Sequence, residues 1–396
     1  MVQRPETPIR LTKRAMVIMT TALFALTACS GGTGLLSPSA GPTGASQPSA
    51  SVAASLTPAS SRPSAPAIAT AQAIPSPHCT TPLPTAAAGQ PVEQAAPGGT
   101  IQATIKAPGS PAFALVEDGS VWVSAHRGTI VDRIDPAKGT IVAMVELDPS
   151  HQHDSSGPLN PGIGGPWAYS FAVDGGPGSF IHIDAATNAT RSDPLAAKLS
   201  ILGGGPFAVT TDGLWATTTD AAGIALVKLD QSTGAEMRRT VIASPAHRGF
   251  LLAAFGSIWF TGDTDLTVEQ ADPGTGVITN AVPVPATPVG FAANDKALYV
   301  AGSNASVARL DPTTGCVTAS IVLGGLGSDP IAVAATSTAV YVGYDSGAIA
   351  VLDPTTLAVR HAYRLDTQDD QGGLAFANGS VLYPTFGSNT ILRVKP

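Results

Sequence analysis

The sequence predicts an all-β chain, a seven-bladed β-propeller of four-stranded blades. Three observations predict it: a recurring phrase, period-2 alternation inside each copy, and a strand ahead of the first copy that completes the last. The phrase is two alternating apolar runs joined by a short polar turn and closed by Asp-Pro-x-x-Gly or a variant. It reads VWVSAHRGTIVDRIDPAKG at 121–139, LWATTTDAAGIALVKLDQSTG at 214–234, IWFTGDTDLTVEQADPGTG at 258–276, LYVAGSNASVARLDPTTG at 298–315 and VYVGYDSGAIAVLDPTT at 340–356. Repeats of this length built from short strands pack as blades around a common axis.

The turn aspartates are Asp135, Asp184, Asp230, Asp272, Asp311 and Asp353, spaced by 49, 46, 42, 39 and 42 residues. A sixth step, of 42 from Asp353, reaches Lys395, so the seventh phrase lacks its outer strand. The segment GTIQATIK at 99–106 matches the stretch that follows each turn, such as GTIVAMVEL at 139–147. It is therefore expected to pair with residues 391–395, closing the ring and removing exposed sheet edges. In each blade the innermost strand comes first (206–213, 330–337 or 373–380), the strand with the aromatic second, and the strand before the Asp third. Blade 2 is blurred: its third strand, 179–188, is clear, but its first merges into GIGGPWAYSFAV.

Asp-Pro-x-x-Gly has a turn chemistry of its own. The carboxylate accepts from amides two residues on, Pro fixes φ, and Gly takes the left-handed conformation. Trp122, Trp215, Trp259, Tyr299 and Tyr341 share one repeat position, as expected of packing between blades.

The ends read differently. Arg4, Arg10, Lys13 and Arg14 precede an apolar run at 15–28 that is short for a membrane span. Leu26-Thr27-Ala28-Cys29 resembles the lipobox of bacterial lipoproteins, which implies a signal peptide at 1–28, acylation of Cys29 (palmitate among the acyl groups) and a membrane-anchored domain outside the cytoplasm. Residues 29–98, rich in Ser, Pro and Ala, carry only Arg62 and Glu93 as charges. They are expected to be a disordered tether of roughly 50 Å average reach, with the propeller occupying 99–396. Cys79 and Cys316 then remain, expected as a disulfide of an exported chain that would pin the tether's end to the side of one blade, with two free thiols as the alternative.

Of 21 Lys+Arg and 28 Asp+Glu, five and two precede residue 99, leaving 16 and 26 in the folded part, a net charge of −10. That acidic balance, with no basic stripe, argues against nucleic-acid binding. Functional residues are expected in loops between the copies, on the face bearing the second-to-third turns. There His126, Arg127, His151, His153, Asp154, Asp369 and Asp370 should gather around blades 7, 1 and 2, with His247 and Arg248 farther round. Residues 150–165 read as the longest insertion. His151-x-His153-Asp154 has ligand types suited to a divalent metal, but a solvated, mobile loop carrying these residues is the favoured reading.

The aromatic phrase followed by IDP-x-x-G resembles the YVTN-type and virginiamycin B lyase-like propellers over residues 99–396. Those families include a magnesium-dependent lyase that opens a cyclic depsipeptide, and also binding proteins. The resemblance to the lyases implies His at the start of inner strands with a nearby Glu. Here GGPFAV, TPVGFAA, SDPIAV and QGGLAF lack His. Only AHRGFLL, with His247, comes near, and Glu269 lies in a third strand, where it is expected to face outward or along the blade. The leading expectation is a tethered propeller that binds a small-molecule ligand or an envelope protein without a cofactor. The alternatives are a divalent-metal lyase or hydrolase and a structural envelope protein.

Overall fold

The computed structural model describes residues 71–73, 75, 79, 87–88, 99–148, 155–171, 178–191, 195–196, 207–220, 223–242, 249–261, 266–324, 326, 330–365 and 373–396. Seven antiparallel sheets follow one another along the chain. Blade 1 comprises Pro111–Glu117, Ser120–Ala125, Ile130–Asp135 and Thr140–Glu146. Blade 2 comprises Ser155–Asn160, Trp167–Phe171, Ser179–His182 and Leu195–Ala196. Blade 3 comprises Phe207–Thr210, Gly213–Asp220, Gly223–Leu229 and Glu236–Ile242. Blade 4 comprises Leu251–Ala254, Ser257–Thr261, Thr267–Ala271 and Ile278–Pro283. Blade 5 comprises Pro288–Ala293, Leu298–Gly302, Ser306–Asp311 and Cys316–Val322. Blade 6 comprises Pro330–Ala335, Val340–Tyr344, Ala348–Leu352 and Val359–Arg364. Blade 7 comprises Ala375–Ala377, Ser380–Thr385, Thr390–Lys395 and, from the far end of the chain, Thr100–Lys106. This last pair is antiparallel, from Thr100 opposite Lys395 to Lys106 opposite Thr390. Successive innermost strands touch, and that of blade 7 touches that of blade 1. The ring is closed: this is a seven-bladed β-propeller.

The core lies between the blades. Seven clusters of buried apolar side chains each join two neighbouring blades. Trp122, Trp215, Trp259, Tyr299 and Tyr341 are all buried in these layers. The register places Trp167 and Leu382 at the same position in blades 2 and 7. Burying a tryptophan removes roughly 200 Å² from water, on the order of 5 kcal/mol of favourable transfer.

Opposite these side chains stand Arg133, His182, Lys228, Gln270, Arg309 and Val351, each two residues before a turn aspartate, and Arg393, two before Lys395. The cations among them cross the seam. The Arg133 guanidinium lies 4.9 Å from the Trp122 ring centroid. It donates to the Ala185 carbonyl and, at 2.8 Å, to Asn188 Oδ1, both in the turn of blade 2. Lys228 lies 5.5 Å from the Trp215 ring centroid and donates to Pro273 O in the turn of blade 4 at 3.0 Å. Arg309 and Tyr299 both donate to Pro354 O in the turn of blade 6.

All six turn aspartates accept, through one carboxylate oxygen, the amides two and three residues on. Hydrogen bonds to the charged form hold five of these carboxyls below their ordinary range, led by the Lys138 side chain at Asp135, the Ser232 and Thr275 hydroxyls at Asp230 and Asp272, and the Thr187 and Thr356 amides at Asp184 and Asp353. The residue four after each Asp is left-handed, with φ between 59° and 73°: Gly139, Asn188, Gly234, Gly276, Gly315 and Leu357.

Residues 155–160, read as part of a long insertion, are the innermost strand of blade 2. Within 29–98, read as a tether whose end a Cys79–Cys316 bridge would pin to one blade, the described residues dock on the outer rim at three places. The Gln72 amide donates to Val241 O at 2.8 Å on blade 3, and its side chain exchanges two bonds with Ile278 of blade 4, at 2.8 and 3.1 Å. Cys79 is joined to Cys316 of blade 5 by a disulfide with Cα atoms 5.7 Å apart. Ala87–Ala88 pair in parallel with Ile321–Val322 of the same blade. Each such hydrogen bond contributes about 1 kcal/mol net, while ordering each residue costs about 1–2 kcal/mol. The non-covalent contacts of this strap therefore do not hold it alone, and the disulfide decides. Residues 1–70, including Cys29, lie outside the described residues.

Leu357 is the left-handed turn residue whose bulk fills the core between blades 5 and 6, and it is fully buried. Leu357→Gly relieves about 1–2 kcal/mol of backbone strain and forfeits about 2–5 kcal/mol of burial and packing. The expected outcome in urea unfolding is a net loss of about 1–3 kcal/mol.

Candidate functional site

The described part of the loop-bearing face holds one cluster of functional side chains, at the seam between blades 7 and 1. His126 and Arg127 open the turn between the second and third strands of blade 1. Phe386 opens the corresponding turn of blade 7. The His126 and Phe386 ring centroids are 4.9 Å apart at 50°, and the Arg127 guanidinium carbon lies 5.6 Å from the Phe386 centroid. His126 and Phe386 are half-buried, whereas Arg127 is exposed.

The backbone beneath is fastened across the seam. The amides of His126 and Arg127 donate to Ser110 O and Gly109 O at 2.9 and 2.8 Å. Asn389 accepts from Ser110 N through its side chain at 2.8 Å and from Ala107 N through its carbonyl at 2.9 Å. Gly109 has φ of 83°, and a Cβ there would lie 2.8 Å from Arg127 O, so the close approach requires glycine. Hydroxyls of Thr385, Ser388 and Thr390 interlock at 2.6–2.9 Å and hold the blade 7 turn.

Burial first, and the Arg127 charge second, lower the pKa of His126. The imidazole is neutral at physiological pH and offers one donor and one acceptor nitrogen. Arg127 adds a planar fork suited to a carboxylate or phosphate, and Phe386 an aromatic surface. The cluster can hold a group combining an anion with a flat apolar body.

The next seam is polar in another way. Ser124 donates to Gly157 O at 2.8 Å and Ser156 to Ala125 O at 2.5 Å, tying blade 1 to the innermost strand of blade 2. Ser155, where that strand begins, is buried. His151, His153, Asp154, His247, Arg248, Asp369 and Asp370 lie outside the described residues, so of the expected gathering only His126 and Arg127 have a place here. No group of three or more His, Cys, Asp or Glu side chains positioned for a metal occurs among the described residues. Phe386 and Asn389 were missed in the sequence; FGSN at 386–389 occupies the turn equivalent to HRG in blade 1, and that equivalence is the signal that finds them.

Glu269, expected to face outward or along the blade, does not face outward: it is fully buried and accepts from Thr267 Oγ1 at 2.6 Å. Its register is three before the turn Asp, where other blades place Ile181, Val227, Ala308, Ala350 and Leu392, all buried. Blade 1 has Asp132 there, 3% exposed, with Oδ1 lacking a hydrogen-bond partner among the described residues. Asp132 lies opposite Val123, in the apolar layer shared with blade 7. Desolvation raises its pKa to about 7. Glu117, whose Oε1 accepts from Gly162 N at 2.7 Å, is likewise raised to about 7, chiefly by burial.

No protein-family model and no curated protein matches the chain. Solved structures do. A streptogramin B lyase is 17% identical, with a TM-score of 0.57 over 72% of this chain and 93% of that one. A catalytically inactive virginiamycin B lyase from Staphylococcus aureus, with quinupristin, is 16% identical, with a TM-score of 0.58 over 74% and 98%. BamB from Moraxella catarrhalis is 12% identical, with a TM-score of 0.47 over 72% and 84%. The likeness to the two lyases is one of fold, and it agrees with the seven blades described above.

Asp132 gives a pH dependence with a definite sign. Its folded pKa lies above the unfolded value, so the folded state binds the extra proton between about pH 4 and 7. Stability is full below that window and falls as pH rises through it. Asp132→Asn is expected to flatten this fall, leaving the variant about 1–4 kcal/mol more stable relative to wild type at pH 8 than at pH 4. Denaturant titrations at the two pH values measure the difference.

Proposed function

We propose that the chain is an extracytoplasmic lipoprotein, held to a membrane through acylated Cys29, whose propeller binds a partner or small ligand on its loop-bearing face. The observation that carries the binding role is the His126–Arg127–Phe386 cluster. An exposed cation, an aromatic ring and a neutral imidazole stand together there on a backbone cross-braced between two blades. Such an arrangement suits an anionic group attached to an aromatic or apolar body. The compartment is supported by the Cys79–Cys316 bond, since disulfides form and persist in oxidising surroundings. Anchoring is supported by the lipobox-like Leu26–Cys29 and its basic, apolar lead.

Three measurements test this. Cys29→Ser is expected to move the full chain from the membrane to the soluble fraction; retention on the membrane overturns the anchor. The double variant Arg127→Glu and Phe386→Ala is expected to reduce retention of envelope components by immobilised protein at least tenfold, with thermal unfolding unchanged. Equal retention by wild type and variant overturns the binding face. Incubation with a type B streptogramin is expected to leave the ring intact, and magnesium-dependent opening would replace binding with catalysis as the primary role.

A further inference from the structure

Gln72, Cys79 and Ala87–Ala88 dock on consecutive blades, 3 and 4, then 5, along the outer strands. The chain then joins blade 7 at Thr100. The ring itself needs none of these contacts, because its closure is complete with Thr100–Lys106. What the strap alters is where the remaining N-terminal chain departs.

We propose that the strap, locked by Cys79–Cys316, is a thiol-controlled latch that moves the tether's point of departure from blade 7 to the outer edge of blade 3. This rests on the anchoring reading given above. With the latch closed, the chain between Cys29 and the propeller ends at Gln72. With it open, that chain runs to Gly99, and its average reach grows about 1.3-fold in the flexible-coil regime. The loop-bearing face is thereby hung from a different side of the ring. Opening is a two-electron reduction: a dithiol donates two electrons and two protons, the sulfur–sulfur bond becomes the thiols of Cys79 and Cys316, and the reductant leaves as its disulfide. Both cysteines are half-buried rather than sealed in the core, as access by a dithiol requires. Once the covalent link is gone, Gln72 and Ala87–Ala88 are left with contacts too few to offset the entropy of ordering the segment.

The test is hydrogen exchange on the full chain. The Ile278 amide, which donates to Gln72 Oε1, reports the strap, and the Val268 amide in the core of the same blade reports the propeller. Reduction by a dithiol is expected to accelerate exchange at Ile278 at least tenfold and leave Val268 unchanged. Cys79→Ser, which alters no residue of the propeller, is expected to do the same without reductant. Unchanged protection at Ile278 in both samples overturns the latch. Flotation of the lipidated chain with phosphatidylglycerol vesicles separates the two readings. Failure to float while Ile278 stays thiol-sensitive overturns the shift in departure point through the anchor, whereas flotation with an insensitive Ile278 overturns it through the strap.

Discussion

Blade 7 is assembled from both ends of the folded region, and the ladder between Thr100–Lys106 and Thr390–Lys395 turns a row of sheets into a ring. A row of blades would leave two apolar faces bare. Here those faces would be Val121, Val123 and Ile134 of blade 1 and Leu382 and Ile391 of blade 7, which the closed ring buries against each other. The candidate site depends on the same closure. His126 and Phe386 lie far apart in the chain and meet only because blade 7 is brought round to blade 1.

Neighbouring blades hold each other by a division of labour. Apolar layers supply the bulk of the favourable energy, and a side chain from one blade closes the turn of the next. An aspartate turn leaves carbonyls pointing outward, and Arg133, Lys228, Arg309 and Tyr299 satisfy them. A buried or half-buried carbonyl without a partner is costly. The cation before the Asp and the turn after it therefore act as one device spread over two repeats. Lys228 shows this most plainly, with its ammonium group both paired to Asp212 at 2.6 Å and donating across the seam.

The blade count, the closing strand and the turn chemistry were legible in the sequence because each rests on local, repeated signals: period-2 alternation, an aromatic at fixed register and Asp-Pro-x-x-Gly. The innermost strand of blade 2 was not. Ser155, Ser156, Gly157 and Pro158 show no apolar alternation, and the strand is secured by hydroxyls bonding to neighbouring backbone. The Cys79–Cys316 bridge was legible from the cysteine count, whereas the docking of Gln72 and Ala87–Ala88 was not, since it runs through amide groups that carry no sequence pattern. Glu269 places a carboxylate where the register demands an apolar residue, so its third-strand position alone did not tell that it is buried. At the site, the repeat put His126 and Arg127 in a second-to-third turn and set blade 7 beside blade 1, but Phe386 escaped because a lone aromatic at the head of FGSN carries no ionisable group to single it out.

The joining of the two chain ends in blade 7 also dictates an order of events. Six blades can form as their own hairpins become available, because their strands are near neighbours in sequence. The seventh waits for the last few residues, and its partner strand has stood ready since the beginning. Closing so long a loop is slow and entropically opposed until the intervening blades have shortened the gap. Until the final strand of blade 7 is in place the ring cannot shut, and the facing apolar surfaces of blades 1 and 7 stay bare.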